Sequence, residues 1–558
     1  MFAEVYELYP KCKWIVNFEK HTYYIIDTHF YGEYNRGKKY EMEFEMREDK
    51  FSTACADLFI VIMFSVFPLF VKNQYFDITE AKYTLLMVAT AALVLSLAVY
   101  YILKHKLTCS FLKTAKLSLT DKAILLFALL QFISARWSGI GKEALIGKTS
   151  RYMGAYTILV LVILYFIISR TVVISKKLFA VLSVTTILVC GMAILQNLGF
   201  DVFHFYKDIL EGTEEQFLST IGNNNFYASY LGVTYGLFMV LYCQEENKIL
   251  RGLFAVNIVV GTMGVIVAGN NGVFIGVIVS LVFIGYLLIR RKIDVKRVLE
   301  SLVLILTGAL LMYLLRGVFP KSRSIDSLAL HLQHTGIIGI MILVLILVRI
   351  ATNNREFIVS EKQETRQSGH LNLIMITATV LLMLAVIILY VSHVVTIPDS
   401  FGTGRGFIWN RLMTTYEKSS LRDQLLGHGP ETIGTIFATQ YAKETKAFIQ
   451  LNVNAAHNEF LQYLITVGFA GICSYIVFLL SLCWRGMHSA RQNRFGYALV
   501  IMIVGYAAHS VVGIAQPNTT PFLFIAAAML ESLNRMFSTQ VVNSYIYNQK
   551  GEKKHEKV

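Results

Sequence analysis

Runs of about twenty apolar residues, long enough to cross the hydrocarbon core of a bilayer as a helix, return repeatedly between residues 53 and 536. Few folds are open to a chain patterned in this way. In lipid every backbone N–H and C=O must be satisfied within the protein, so spans of this length close their hydrogen bonds inside helices. Charged residues make up 16% of the chain, against about a quarter in an ordinary soluble domain. Seven prolines in 558 residues leave long helices uninterrupted. The expectation is an all-α, polytopic helical membrane protein.

Membrane helices are read near 53–71, 83–103, 123–138, 154–169, 178–196, 226–243, 252–269, 273–289, 299–316, 329–350, 372–393, 458–484, 496–512 and 520–536. That makes about fourteen spans. Basic clusters lie between them: Lys104, Lys106, Lys113 and Lys116; Lys176 and Lys177; Arg290, Arg291, Lys292, Lys296 and Arg297; Arg485, Arg491 and Arg494. The positive-inside rule assigns these to the cytoplasmic side, and an even number of spans puts both termini there. The same clusters account for much of the net charge of +14, so the basic balance speaks of orientation and gives no nucleic-acid partner. The seven cysteines have no paired metal spacing and none falls in 394–455, so no disulfide framework is implied.

The resulting organisation is an N-terminal cytoplasmic segment (1–50), eleven spans (53–393), a large outward loop (394–457), three closing spans (458–536) and a cytoplasmic tail (537–558). Within the first segment Tyr40, Met42, Phe44 and Met46 alternate with glutamates, which is strand periodicity. The run HTYYIIDTHF is expected to pair with that strand across a turn near Asn35-Arg36-Gly37.

The candidate chemistry concentrates in the 394–457 loop. In NVNAAHNEFLQYLITVGFAGI, Asn454 reads as an N-cap and His457 as a first-turn residue sharing a stripe with Phe460, Leu461 and Leu464. An imidazole at a membrane edge can take a proton from an incoming hydroxyl near neutral pH; a histidine that merely bonds a loop fits equally well. Arg405 lies in FGTGRGFIWNRL, followed by Trp409 and Arg411. Guanidinium groups suit diphosphate oxygens, and a tryptophan suits the headgroup region or a sugar face. Anchoring to anionic lipid is the competing role. The outward loop ARWSGIGKEALIGKTSRYMGAY carries Arg136, Lys142, Lys148 and Arg151. An anionic lipid-linked substrate or headgroup snorkelling explains basic residues there. His509 and Asn223, Asn224 and Asn225 read as caps or helix-break residues. Walker, dinucleotide-binding and HExxH motifs are missing, as is an acidic pair at an outer edge. An enzyme built on this chain would work with no cofactor and no metal, through positive side chains and a general base.

Five pieces in order, TIGNNNFYASYLG, GRGFIWN, LLGHGPETI, AHNEFLQYLITVGFAGI and HSVVGIAQPNTTPFLFIAAAML, resemble the O-antigen ligase and polymerase family of bacterial membrane glycosyltransferases. The resemblance spans roughly residues 53–536, and the His-Asn helix is its most specific part. It implies a metal-independent transfer on the outer face of the bacterial cytoplasmic membrane, from a polyprenyl-diphosphate-linked oligosaccharide donor to a glycan, lipid or other hydroxyl acceptor. His457 is then the base and Arg405 the partner of the diphosphate, with Arg411, Trp409, Asn458, Arg136 and Arg151 as candidate substrate-binding residues. One departure stands out. Many members carry Ser-Arg at the short turn between the seventh and eighth spans, where this chain has Asn270-Asn271-Gly272; Arg411, Arg136 and Arg151 are the candidates to substitute. A polymerase is favoured, because no feature speaks for a lipid A acceptor. The alternatives are a ligase to lipid A core, protein or wall and a flippase or transporter of the same lipid. A transporter would place its ionisable residues near the bilayer midplane, whereas here they gather in loops and at helix ends.

Overall fold

A computed structural model describes residues 12–17, 22–27, 50–104, 117–148, 151–207, 209, 212–325, 329–330, 339–346, 349, 397–449, 452–491 and 493–536. Near the start, strands β1 (Cys12–Asn17) and β2 (Thr22–Asp27) pair antiparallel, with Cys12 opposite Asp27. The strand in HTYYIIDTHF takes its partner from upstream, across a short connection whose closure costs little entropy; the expected partner at 40–46 lies outside the described residues.

The rest is helical. The helices are α1 (Lys50–Leu69), α2 (Ile78–Leu103), α3 (Leu119–Trp137), a short α4 (Lys142–Ile146), α5 (Ala155–Thr171) and α6 (Lys176–Asn197). After a two-residue β3–β4 pairing (Phe217–Leu218 with Gly222–Asn223) come α7 (Asn224–Gln244), α8 (Lys248–Ile266), α9 (Gly272–Ile289) and α10 (Val295–Val318). Among the described residues, eight helices are long and apolar enough to cross a membrane, and two shorter apolar ones accompany them. The span expected at 372–393, and half of the one at 329–350, lie outside the described residues.

The centre of the bundle is α7, whose spanning window is 94% buried. A helix enclosed on all sides must be apolar all round, and it must let neighbours approach closely. At Gly505 an added Cβ would meet the Gly232 carbonyl oxygen at 2.1 Å, and at Gly276 it would meet the Gly232 Cα at 3.1 Å. Small residues thus set the contact of α7 with α9 and with α16 (Phe495–Ser510), the usual device where lipid offers no hydrophobic drive between helices.

The 394–457 interval is no irregular loop. It folds into α11 (Phe401–Lys418), α12 (Leu421–Leu426), α13 (Ile433–Gln440) and α14 (Ala442–Phe448). These carry a small core of their own, with Phe407, Trp409, Leu412 and Phe437 packed against Leu461 and Ile465. The last two belong to α15 (Glu459–Ser489), which is broken at Gly468 (φ 78°, ψ −178°). The break frees carbonyls for the 427–429 turn: His428 N–H donates to Ile465 O (2.9 Å) and Gly429 N–H to Thr466 O (2.8 Å). The cap of α15 also corrects an expectation. Asn458 is the N-cap, its side chain accepting from Leu461 N–H; Asn454 lies further back, and His457 precedes the helix at φ 50°.

A final helix, α17 (520–536), is clamped at its far end. Buried Asp121 of α3 accepts from Tyr165 and pairs with Arg170 and Arg535, while buried Glu531 pairs with Arg485 at 2.7 Å. Charges taken out of water must be paired in this way. Together they tie α3, α5, α15 and α17 at the end opposite His457.

Candidate functional site

Three consecutive positive φ values, at Gly402, Thr403 and Gly404, fold the chain back just before Arg405. Regular helix then runs from Arg405, so Arg405 and Trp409 stand one turn apart on one face. Trp409 is 7% exposed, and its Nε1–H donates to the Ala456 carbonyl at 2.8 Å. The Ala456 N–H in turn donates to Gln462 Oε1 at 2.9 Å. His457 is therefore held between a backbone pinned by Trp409 and a helix capped by Asn458. Trp409 sits in the core of this unit rather than at a headgroup or sugar face. At the first residue of α15, Glu459 is fully buried and accepts from Tyr475 (2.8 Å), Tyr506 (2.8 Å) and Ser510 (3.0 Å), which fastens that end of α15 to α16.

The arginines differ in what they already hold. Arg411 is taken up by Asp399 (3.1 Å) and Glu444 (2.8 Å) and lies over the Phe407 ring. Arg151 is buried; it faces Glu431 at 3.5 Å and donates to the Asn454 carbonyl at 3.1 Å. Arg136 is exposed in the last turn of α3. Arg405 is partly buried, yet its described bond is to a neutral group, Asn225 Oδ1, at 3.3 Å. Burial lowers its pKa below the ordinary value, but a guanidinium stays charged. Of Arg151, Arg405 and Arg411, Arg405 is the one with no carboxylate in reach among the described residues.

That charge acts on His457. Burial first, then the positive charges of Arg405 and Arg151, bring the His457 imidazole down to about 4. At neutral pH the ring is neutral and free to accept a proton. Burial raises the Glu431 carboxyl although Arg151 and Lys148 pull it down. The arrangement is an uncompensated cation beside a neutral imidazole, in a partly dry setting where charge developing on a bound group is felt strongly.

The structure brings Arg405, Trp409, Asn458 and His457 into one region, with Arg151 at its edge through Asn454. Arg411 belongs to the bracing of α11 on α14, and Arg136 stands apart. Asn225 and Asn270 were read as a cap and a turn residue. They lie instead beside Arg405: Asn270 Nδ2 also donates to Asn225 Oδ1. A polar triplet opening an apolar helix was the available signal, and caps use the same residues.

Fold and site together define a polytopic helical membrane protein with a basic, imidazole-bearing cluster at one end of its bundle. No family model matches this chain, and no curated protein matches it.

Proposed function

We propose that the protein is a metal-independent membrane glycosyltransferase of the O-antigen ligase and polymerase kind, acting on a polyprenyl-diphosphate-linked oligosaccharide at the outer face of the bacterial cytoplasmic membrane. The observation that carries this reading is the guanidinium of Arg405, with no carboxylate in reach among the described residues, beside a neutral His457. In the proposed step the imidazole takes the proton of the acceptor hydroxyl, the oxygen forms a bond to the anomeric carbon, and the sugar–diphosphate bond breaks. Charge accumulates on the leaving diphosphate, where a fork of N–H donors stabilises it more as the bond lengthens. A dianion at Arg405 also offsets one of the cations that hold His457 down, so donor binding strengthens the base. The span count of about fourteen, the outward placement of 397–457 and the polymerase reaction belong to this proposal.

The test is purified protein in lipid nanodiscs with a lipid-linked oligosaccharide. A new glycosidic bond and released polyprenyl diphosphate are expected, and both should be lost in His457→Ala. In liposomes, movement of the donor between leaflets without bond formation would instead make the chain a transporter. Transfer to a non-glycan acceptor would make it a ligase.

A further inference from the structure

The helices α7 and α9 begin side by side near Arg405: Asn223 caps the first, the Asn270–Gly272 turn opens the second, and Asn225 Oδ1 accepts from both Asn270 and Arg405. A helix N-terminus carries partial positive charge and suits an anion. A second imidazole meets them there. His509, in the last turn of α16, is 2% exposed, and its Nε2 has no hydrogen-bond partner among the described residues. Glycines surround its ring. An added Cβ at Gly232 would come within 3.2 Å of His509 Cβ, at Gly513 within 2.8 Å of Nδ1, and at Gly272 within 3.5 Å of Nε2. Nε2 therefore faces the Gly272 turn.

From that turn the contacts run back to the guanidinium. Gly272 N–H donates to Asn270 Oδ1 at 2.6 Å, Asn270 Nδ2 donates to Asn225 Oδ1, and Arg405 Nη2 donates to the same oxygen at 3.3 Å. One carbonyl oxygen thus collects an amide donor and a guanidinium donor, as a phosphate oxygen would. A buried imidazole nitrogen without a partner is costly, and a ligand acceptor would remove the cost.

The geometry points to His509 as a binding residue for a diphosphate: with its proton on Nε2 it donates to a phosphate oxygen held by Arg405 and Asn270, at the joined starts of α7 and α9. This rests on the reading that the donor is a diphosphate carrier. The turn at 270–272 then supplies neutral donors, and His509 the extra contact, where an arginine is absent.

Inorganic pyrophosphate binding to the full-length protein in nanodiscs, by calorimetry, tests it alongside turnover. In His509→Leu, which fills the volume without a donor, affinity should fall on the order of tenfold. In His509→Gln, whose amide reaches a similar point, it should return to within about threefold. Asn270→Asp, which removes an amide donor and puts a negative charge where the phosphate would sit, should abolish binding. Wild-type affinity in His509→Leu overturns the inference. If His509→Leu shows no cooperative thermal unfolding, wild-type affinity in Asn270→Asp overturns it. Pyrophosphate binding that needs Arg405 but not His509 sinks this inference and leaves the glycosyltransferase reading standing. Binding that needs both, in a protein that forms no glycosidic bond, does the reverse. A wild-type protein that binds no pyrophosphate removes both.

Discussion

Replacing Arg405 by methionine should separate stability from activity. In the fold this side chain has one described bond, at 3.3 Å and to a neutral oxygen. Losing it costs about 0.5–1.5 kcal/mol. Methionine also relieves the burden of a partly buried cation that has no counter-ion among the described residues, so the net change in stability is near zero. In the reaction Arg405 is assigned the leaving diphosphate, and removing one such donor raises a barrier by about 3–4 kcal/mol, or 10²–10³ in turnover. Arg411→Met is the counter-case. It loses two carboxylate partners, at 3.1 and 2.8 Å, and each half-exposed pair contributes about 0.2–1 kcal/mol. Arg411→Met should therefore lower the thermal midpoint and leave turnover within about threefold of wild type. Both variants would be read by thermal unfolding in detergent and by glycan formation in nanodiscs. If Arg405→Met keeps normal turnover, or if its activity falls only in step with its thermal midpoint, Arg405 is a structural residue and the site assignment fails.

A histidine must be neutral to act as a base, and His457 is held at about 4; kcat/KM should stay level as pH falls through 6.5 and drop only near pH 4. The kcat limb should lie higher, because the donor's diphosphate offsets Arg405; a kcat/KM limb at about 6.5, the free imidazole value, would show that burial and the Arg405 charge do not hold the base down. Gly468→Ala places a Cβ 2.4 Å from the Leu425 carbonyl at a positive φ. It should destabilise by about 2 kcal/mol or more and blunt the thermal transition, and wild-type stability would show that the break in α15 relaxes freely. Cysteine placed at exposed Lys418 should react with an impermeant maleimide on intact cells, and at exposed Lys248 only after the membrane is opened; the opposite pattern reverses the orientation.

Much of the bundle was readable because lipid leaves a backbone no choice. The helix read at 520–536 matches the observed one, and Asn224–Gln244 lies within two residues of the range read at 226–243. The polar interval before α15 stood out as a candidate region, since arginines, a tryptophan and a histidine gather there. Its folding into four helices was not visible. Short amphipathic segments such as Ile433–Gln440 become helices through a shared core, and a single strand of text does not show which faces meet. The β1–β2 pairing was hidden for a related reason: alternation marks a strand without naming its partner.

The apolar, helical, membrane-type architecture and the gathering of Arg405 and His457 in one polar interval are legible along the chain, because apolar length and residue chemistry are local properties. What only the tertiary structure decided is which charges are already spoken for. Arg411 finds Asp399 and Glu444, and Arg151 finds Glu431, across separations of 12 to 280 residues. Among the described residues, Arg405 bonds the amide of Asn225, 180 positions away. The packing of α7, α9 and α16 through bare glycines then sets the buried ring of His509 beside that same cluster. Pairing and burial depend on distance in space, and the order of residues along a chain does not contain it.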